Sequence, residues 1–490
     1  MHFTTEFWLT RLCFQRALGC TYLIAFLIAV NQFIPLLGER GLQPVRRFVR
    51  HMPFRRAPSL FYINCSDHFI TATIWCGIVL SIFTISGWSE SFGLVVSMLT
   101  WALLWIIYLS LVNVGQTFYG FGWETMLCET GFLAIFLGSS DTRAPVVAMW
   151  LILWVLFRTM YGAGLIKLRA DPCWRDLTCL FYHYETQPLP NPLSWYLHHS
   201  PPWSHKLGVL VTHFAQLLVP LFYFVPPPLC YWAGGLTIVF QITLILSGNL
   251  SWLNYITIVL CIPCFEDGLL RRFFSIPDSV PAHMSLPHTI AVGLLTGLVL
   301  ALSWQPTRNL FSRRQLMNAS FEPLHLVNTY GAFGAVTRER FEVVIKGTDA
   351  ERPDSLSEWR EYEFKGKPGD VNRSPCIVSP YHWKLDWQMW FAAMSQAEFH
   401  PWIFVLMQKL LEAEPRILRL FADNPFPKAP PKFIRADWYR YRFTKPGERG
   451  WWTRTFVAEY LPPIALRRAA ELAAPVEHLQ NDCDEAVENV

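Results

Sequence analysis

Between Leu207 and Phe265 the chain runs for 59 residues without one Asp, Glu, Lys or Arg. A helix crosses the hydrocarbon core of a bilayer in about 20 apolar residues, so this run must cross and return. Pro226-Pro227-Pro228 makes one break and Gly248-Asn249 a second. Further uncharged windows extend from Ala17 to Gly38, His68 to Ser89, Ser91 to Trp123 and Ser279 to Thr307. Two weaker segments, Thr125–Gly138 and Ala144–Ile166, are interrupted by Glu129 and Arg158. In hydrocarbon every backbone polar group needs an internal partner, which makes these segments helices. Eight or nine spans follow. The first is too long, and too poor in small-residue cleavage sites, for a removable signal peptide.

The charges are elsewhere. Residues 306–490 carry 49 Asp, Glu, Lys and Arg, whereas residues 1–305, a far longer stretch, carry 29. The expected architecture is therefore a polytopic α-helical membrane domain (1–305, with a Pro- and aromatic-rich loop at 167–206), followed by a water-facing α+β domain with antiparallel β-hairpins (306–473). An acidic, disordered tail (474–490) would end it. Residues 321–345 and 359–365 alternate as strands do, with a polar hairpin loop at Asp349–Ser357. Phe433–Phe443 and Trp451–Tyr460 alternate around a Lys445-Pro-Gly-Glu turn. Leu385–Met394 and Pro401–Phe421 read as helices. The net charge of +4 and the lack of a basic stripe exclude a nucleic-acid surface.

Chemistry is sparsely signalled. Glu124, Glu129 and Arg158 lie in or beside apolar segments, where ionisable groups need a partner or a water-filled cavity. They form either a substrate or proton site, or a structural ion pair of Glu129 with Arg158 or Lys167 that fixes helix register. Lys167 follows Tyr161-Gly-Ala-Gly-Leu-Ile, a run whose small residues favour close helix packing. Lys167 is either an interfacial anchor or, if its pKa fell, a base. Cys173 and Cys179 could close a disulfide in an oxidising compartment. His183, Glu185, His198, His199, His205 and His213 follow, but no spacing matches a zinc pattern, and no metal or other cofactor is expected. No nucleophile elbow or phosphate loop is present. Asn64, Asn318 and Asn372 head glycosylation sequons. The basic loop from Arg40 to Arg56 argues for a cytoplasmic face, against the sequons.

Longer motifs carry a resemblance. Gly162-Ala-Gly-Leu-Ile-Lys-Leu-Arg is followed by Asp171-Pro-Cys173-Trp174-Arg175-Asp176-Leu-Thr-Cys179. Tyr182-His183-Tyr-Glu185-Thr-Gln-Pro-Leu-Pro-Asn191-Pro-Leu-Ser-Trp-Tyr comes next. With Trp123-Glu-Thr-Met-Leu-Cys-Glu-Thr-Gly, Leu326-Val-Asn-Thr-Tyr-Gly, Trp359-Arg-Glu-Tyr-Glu-Phe and Pro380-Tyr-His-Trp-Lys-Leu-Asp-Trp, these strongly resemble the lipase maturation factor family, in the family's order from Gln116 to Leu461. The resemblance implies a multi-pass endoplasmic-reticulum membrane protein (inner membrane in a bacterial source) that assists folding and dimerisation of secreted lipases. Its C-terminal domain would be lumenal and would contact the client, which agrees with the sequons and the loop cysteines.

Two readings follow. In the first, the chain is a non-enzymatic assembly factor whose exposed aromatics, with Trp383, Trp387, Trp390, Trp451 and Trp452 as candidates, contact the client. In the second it is a membrane enzyme acting at the lumenal face, with Lys167, His183 and Glu185 near the mouth of a cavity formed by the spans and Glu129 in its site, loosely like the vitamin K-dependent carboxylase membrane domain. A transporter finds no support, since no inverted repeat is visible.

Overall fold

A computed structural model describes residues 6–274, 282–354 and 356–474. The expected acidic tail therefore lies almost wholly outside the described residues. Among them, seven helices are long and apolar enough to cross a membrane: α1 (Trp8–Leu37), α2 (Asp67–Ile85), α3 (Leu94–Val114), α5 (Val146–Arg169), α6 (Pro202–Phe222), α7 (Leu229–Ser247) and α9 (Leu286–Phe311). Helix α6 passes through a π turn at Phe214–Leu218 just before Pro220, which cannot donate to the helical ladder.

The sequence count of eight or nine differs because two apolar segments form short helices, α4 (Gly122–Ala134) and α8 (Leu253–Cys261). At 1.5 Å per residue, thirteen residues reach about 20 Å, short of a hydrocarbon core. Even so, both carry the chain between the same two faces. Gly122 packs on Asn318 beside the C-terminal region, while Ser140, past the end of α4, accepts from Trp8 at the start of α1. Asn249 bonds the Cys376 carbonyl, while Asp267, beyond α8, accepts from the Trp8 and Thr10 amides. Packing inside a ring of longer helices, rather than hydrophobic length, holds these two in place. Leu127 and Cys128 of α4 and Ile256 and Leu260 of α8 are fully buried.

Beyond α9 the chain forms a four-stranded antiparallel sheet of order β2-β1-β3-β4 with short helices on it. Strand β1 (Arg340–Thr348) sits between β2 (Arg360–Glu361) and β3 (Phe433–Phe443), and β4 (Trp452–Ala465) forms one edge. The β3/β4 hairpin turns near Lys445-Pro-Gly-Glu, where Gly447 has φ +93°, a left-handed conformation that suits glycine. Residues 321–339, expected as strand, form no strand: they cross the membrane domain's surface, and their polar groups bond to it. Helix α10 (Lys384–Ala392) falls where the sequence predicts. The predicted helix 401–421 breaks after α11 (Trp402–Leu411), because Ala413 turns left-handed (φ +49°) and Pro415 opens a separate turn. A last helix, α12 (Leu466–Ala473), packs on α11.

Candidate functional site

The polar residues of the membrane domain point into its junction with the C-terminal region. Lys384, at the start of α10, places Nζ 2.7 Å from Glu124 Oε1 on α4, and Tyr108 of α3 donates to the same carboxylate. Neither Lys384 nor Glu124 has any exposed side-chain surface. Lys384 Nζ also stands over the Tyr119 ring at 3.6 Å. One turn along α4, Glu129 pairs with Arg158 of α5 and accepts from the Asn328 amide (3.1 Å), the Asn328 side chain (3.0 Å) and Tyr330 (2.6 Å). Asn328 and Tyr330 lie in the segment that leads from α9 into the sheet. Both intramembrane carboxylates are thus docking points for the C-terminal region. Glu129 pairs with Arg158, and Lys167 is left to other partners.

The loop after α5 is held from the same side. Asp171 caps the short helix Pro172–Arg175, accepting from the Cys173 amide, and pairs with Arg338 at 2.9 Å. Hydrogen bonding by Arg338 and two backbone amides outweighs desolvation and keeps the Asp171 carboxyl below the usual carboxylate range. Cys173 and Cys179 are joined as a disulfide, next to buried Trp174, whose indole donates to the Phe333 carbonyl. Arg175 and Asp176 are exposed. Glu185 accepts from the Phe443 amide (2.6 Å), and burial raises its pKa. Asn191 builds a capping box with Ser194 and donates to the Leu246 carbonyl at the end of α7. Completely buried Arg340 grips the loop from β1, donating to the carbonyls of Glu185 (3.0 Å) and Pro188 (3.0 Å) while paired with Glu342.

Between α5, α6, α7, α8, this loop and α10 lies a cavity of about 870 Å³. Its walls are mostly apolar, with Met160, Leu207, Phe240, Leu244, Trp387 and Phe391 among them. Lys167 and His183 line it too. Lys167 Nζ donates to the carbonyls of Ala332 (2.8 Å) and Ala163 (3.3 Å) and sits over the Trp174 ring at 5.2 Å. His183 packs edge-on against Phe333. Burial first, then the charge of Lys167, lower its pKa to about 4, so it is neutral at pH 7.

The geometry corrects several expectations. Glu129 and Glu185 do not line this cavity: the first is held by Arg158, Asn328 and Tyr330, and the second accepts from the Phe443 amide with His198 4.0 Å away. Trp387 and Trp452 are not exposed aromatics. Trp387 packs edge-on against Phe121 and Trp123, and Trp452 stacks on Phe443 at 4.2 Å. Trp383, Trp390 and Trp451 are half-buried, and Trp390 donates to the Thr186 carbonyl. Asn64, Asn318 and Asn372 are exposed. All three lie on the face that carries the C-terminal region, as does the basic loop between α1 and α2. Lys384, Arg340, Asn328 and Tyr330 were not singled out by sequence. Among the described residues no three His, Cys, Asp or Glu side chains gather to hold a metal ion.

Comparison with known proteins agrees with this architecture. A family model described as the lipase maturation factor transmembrane domain matches residues 9–272, and one described as the lipase maturation factor C-terminal domain matches residues 326–462. Lipase maturation factor 1 of Bos taurus is 43% identical, the alignment covering 94% of this chain and 89% of that protein. The Homo sapiens protein of the same name is 42% identical with the same coverage. Lipase maturation factor 2 of Homo sapiens is 29% identical over 94% of this chain and 83% of its own length. No solved structure matches.

Proposed function

The chain belongs to the lipase maturation factor family, and from that premise we propose that it is a membrane-anchored, non-enzymatic factor for folding and dimer assembly of secreted lipases. Its working face is the one that carries the C-terminal region. That face lies in the lumen of the endoplasmic reticulum, a placement supported by the Cys173–Cys179 bond and three exposed sequons.

The observation that carries the reading is the family match over nearly the whole chain, in both its membrane and its C-terminal parts. The sheet supplies a physical means. Strand β4 is an edge, and Thr453 through Glu459 are uncovered on both faces apart from half-buried Arg454. Phe456 and Val457 stand exposed there. A long edge with unpaired backbone groups and apolar side chains accepts an extended segment of a partly folded chain. A client held in this way keeps its own sticky surfaces covered until its partner subunit arrives.

Capture tests the reading. Full-length chain purified gently from cells making a dimeric secreted lipase is expected to carry inactive lipase monomer and little active dimer. Equal recovery of both forms, or of neither, contradicts it. The enzyme alternative, with Lys167, His183 and Glu129 in one site, is weakened because Glu129 is locked away from the cavity.

A further inference from the structure

We infer that the cavity behind Lys167 is a binding site for an anionic amphiphile: an acyl chain that ends in a carboxylate or a phosphate. This inference does not depend on the lipase reading; it needs only the helices to span a bilayer. The volume of about 870 Å³ lies within the usual range of small-molecule sites. Three observations identify the occupant. First, Leu207, Val211 and Leu246 line the cavity and are each about half exposed, so it opens sideways between α6 and α7. In a bilayer that opening is bathed in acyl chains.

Second, the polarity of the site is graded along the membrane normal. Lys167 lies in the last turn of α5, at the face that carries the loop and the C-terminal region. Met160, which also lines the cavity, lies seven residues earlier, about 10 Å deeper into the membrane domain. A charged end near the interface with mostly apolar walls below it, interrupted by Gln241 against Met160, matches a lipid's own orientation. Third, the polar groups are under-satisfied. Lys167 is 4% exposed and forms no ion pair among the described residues, its bonds being to two carbonyls. A further buried lining donor, Asn254 Nδ2, has no hydrogen-bond partner among the described residues. A buried lysine without a counter-anion, lining the same cavity as a free amide donor, is a ready receptor for an oxyanion.

The test uses full-length protein in nanodiscs of neutral phosphatidylcholine. Three photoreactive probes are added separately: a fatty acid, a phosphatidic acid and a fatty alcohol of equal chain length. Labelling by at least one anionic probe is expected on peptides of α6 and α7, with Lys167→Gln reducing it at least about tenfold, as for loss of a charge-assisted bond. Labelling by the acid alone assigns a free carboxylate, and labelling by phosphatidic acid alone or by both assigns phosphate recognition as well. Leu244→Trp, which adds bulk to the cavity wall on α7 and keeps Lys167 in place, is expected to abolish labelling and guards against a Lys167 variant that fails to fold. Equal labelling by all three probes, labels elsewhere, or labelling unchanged by Leu244→Trp would overturn the inference.

Discussion

Lys384 Nζ and Glu124 Oε1 meet at 2.7 Å with no water-accessible surface on either side chain, although 259 residues separate them in the chain. The pair joins the C-terminal region to the membrane domain. A buried ion pair is no gain over a well-packed apolar pair, but breaking one partner leaves an uncompensated charge. Lys384→Met is therefore expected to lower stability by about 3–5 kcal/mol. Lys384→Met with Glu124→Gln is expected to recover much of that loss. Thermal unfolding of the purified full chain measures both, and a double variant no better than the single would refute the pairing.

Glu129→Gln strands the Arg158 guanidinium, which is buried and pairs with no other carboxylate among the described residues. A loss of about 3 kcal/mol or more is expected, seen as reduced abundance in membranes. The structural role has a clear signature: function falls in step with protein. Lost function at unchanged abundance would instead return Glu129 to a chemical role.

The Cys173–Cys179 bond closes a short loop beneath Trp174. By loop entropy it contributes about 2 kcal/mol. Reductant is expected to lower the unfolding temperature of the native chain and to leave that of a Cys173→Ser, Cys179→Ser variant unchanged. Equal responses of the two proteins would show that the bond contributes nothing.

Acid should loosen the loop. Burial lowers the pKa of His183 and of His198 from 6.5 to about 4. Between those values the unfolded chain binds protons that the folded chain does not, so stability rises with pH across the window and falls on acidification. Each histidine adds a slope of up to about 1.4 kcal/mol per pH unit. His183→Gln is expected to flatten the stability profile between pH 6 and 4.5 measured by denaturation; an unchanged slope would contradict a buried neutral imidazole.

The apolar windows revealed the membrane domain because hydrocarbon demands length and lack of charge, and both are countable. Strands β3 and β4 were legible for a similar reason: alternation survives wherever one face is covered. The Glu129–Arg158 pair was legible too, both charges standing out in apolar segments; what stayed hidden was pairing between the membrane domain and the C-terminal region. Lys384 sits among aromatics in a stretch read simply as a helix, and nothing nearby names Glu124 as its partner. Arg340 and Glu342 alternate with apolar neighbours, which reads as a solvent-facing edge; here that face is covered by the 185–188 loop. The same limit misplaced Trp387 and Trp452, since tryptophans in a motif look alike whether they anchor a partner or fill a core. The segment 321–339 alternates but pairs with no strand, because its polar groups are spent on Glu129 and its neighbours.

The claim that this chain matures lipases is tested most directly in cells that lack their own maturation factor and secrete a dimeric lipase. Lipase activity per unit of secreted lipase protein is measured with and without the chain. Restored specific activity is the predicted result, with Lys384→Met restoring less in proportion to its lower abundance. Unrestored activity, with the wild-type chain abundant in the membrane, would contradict the account.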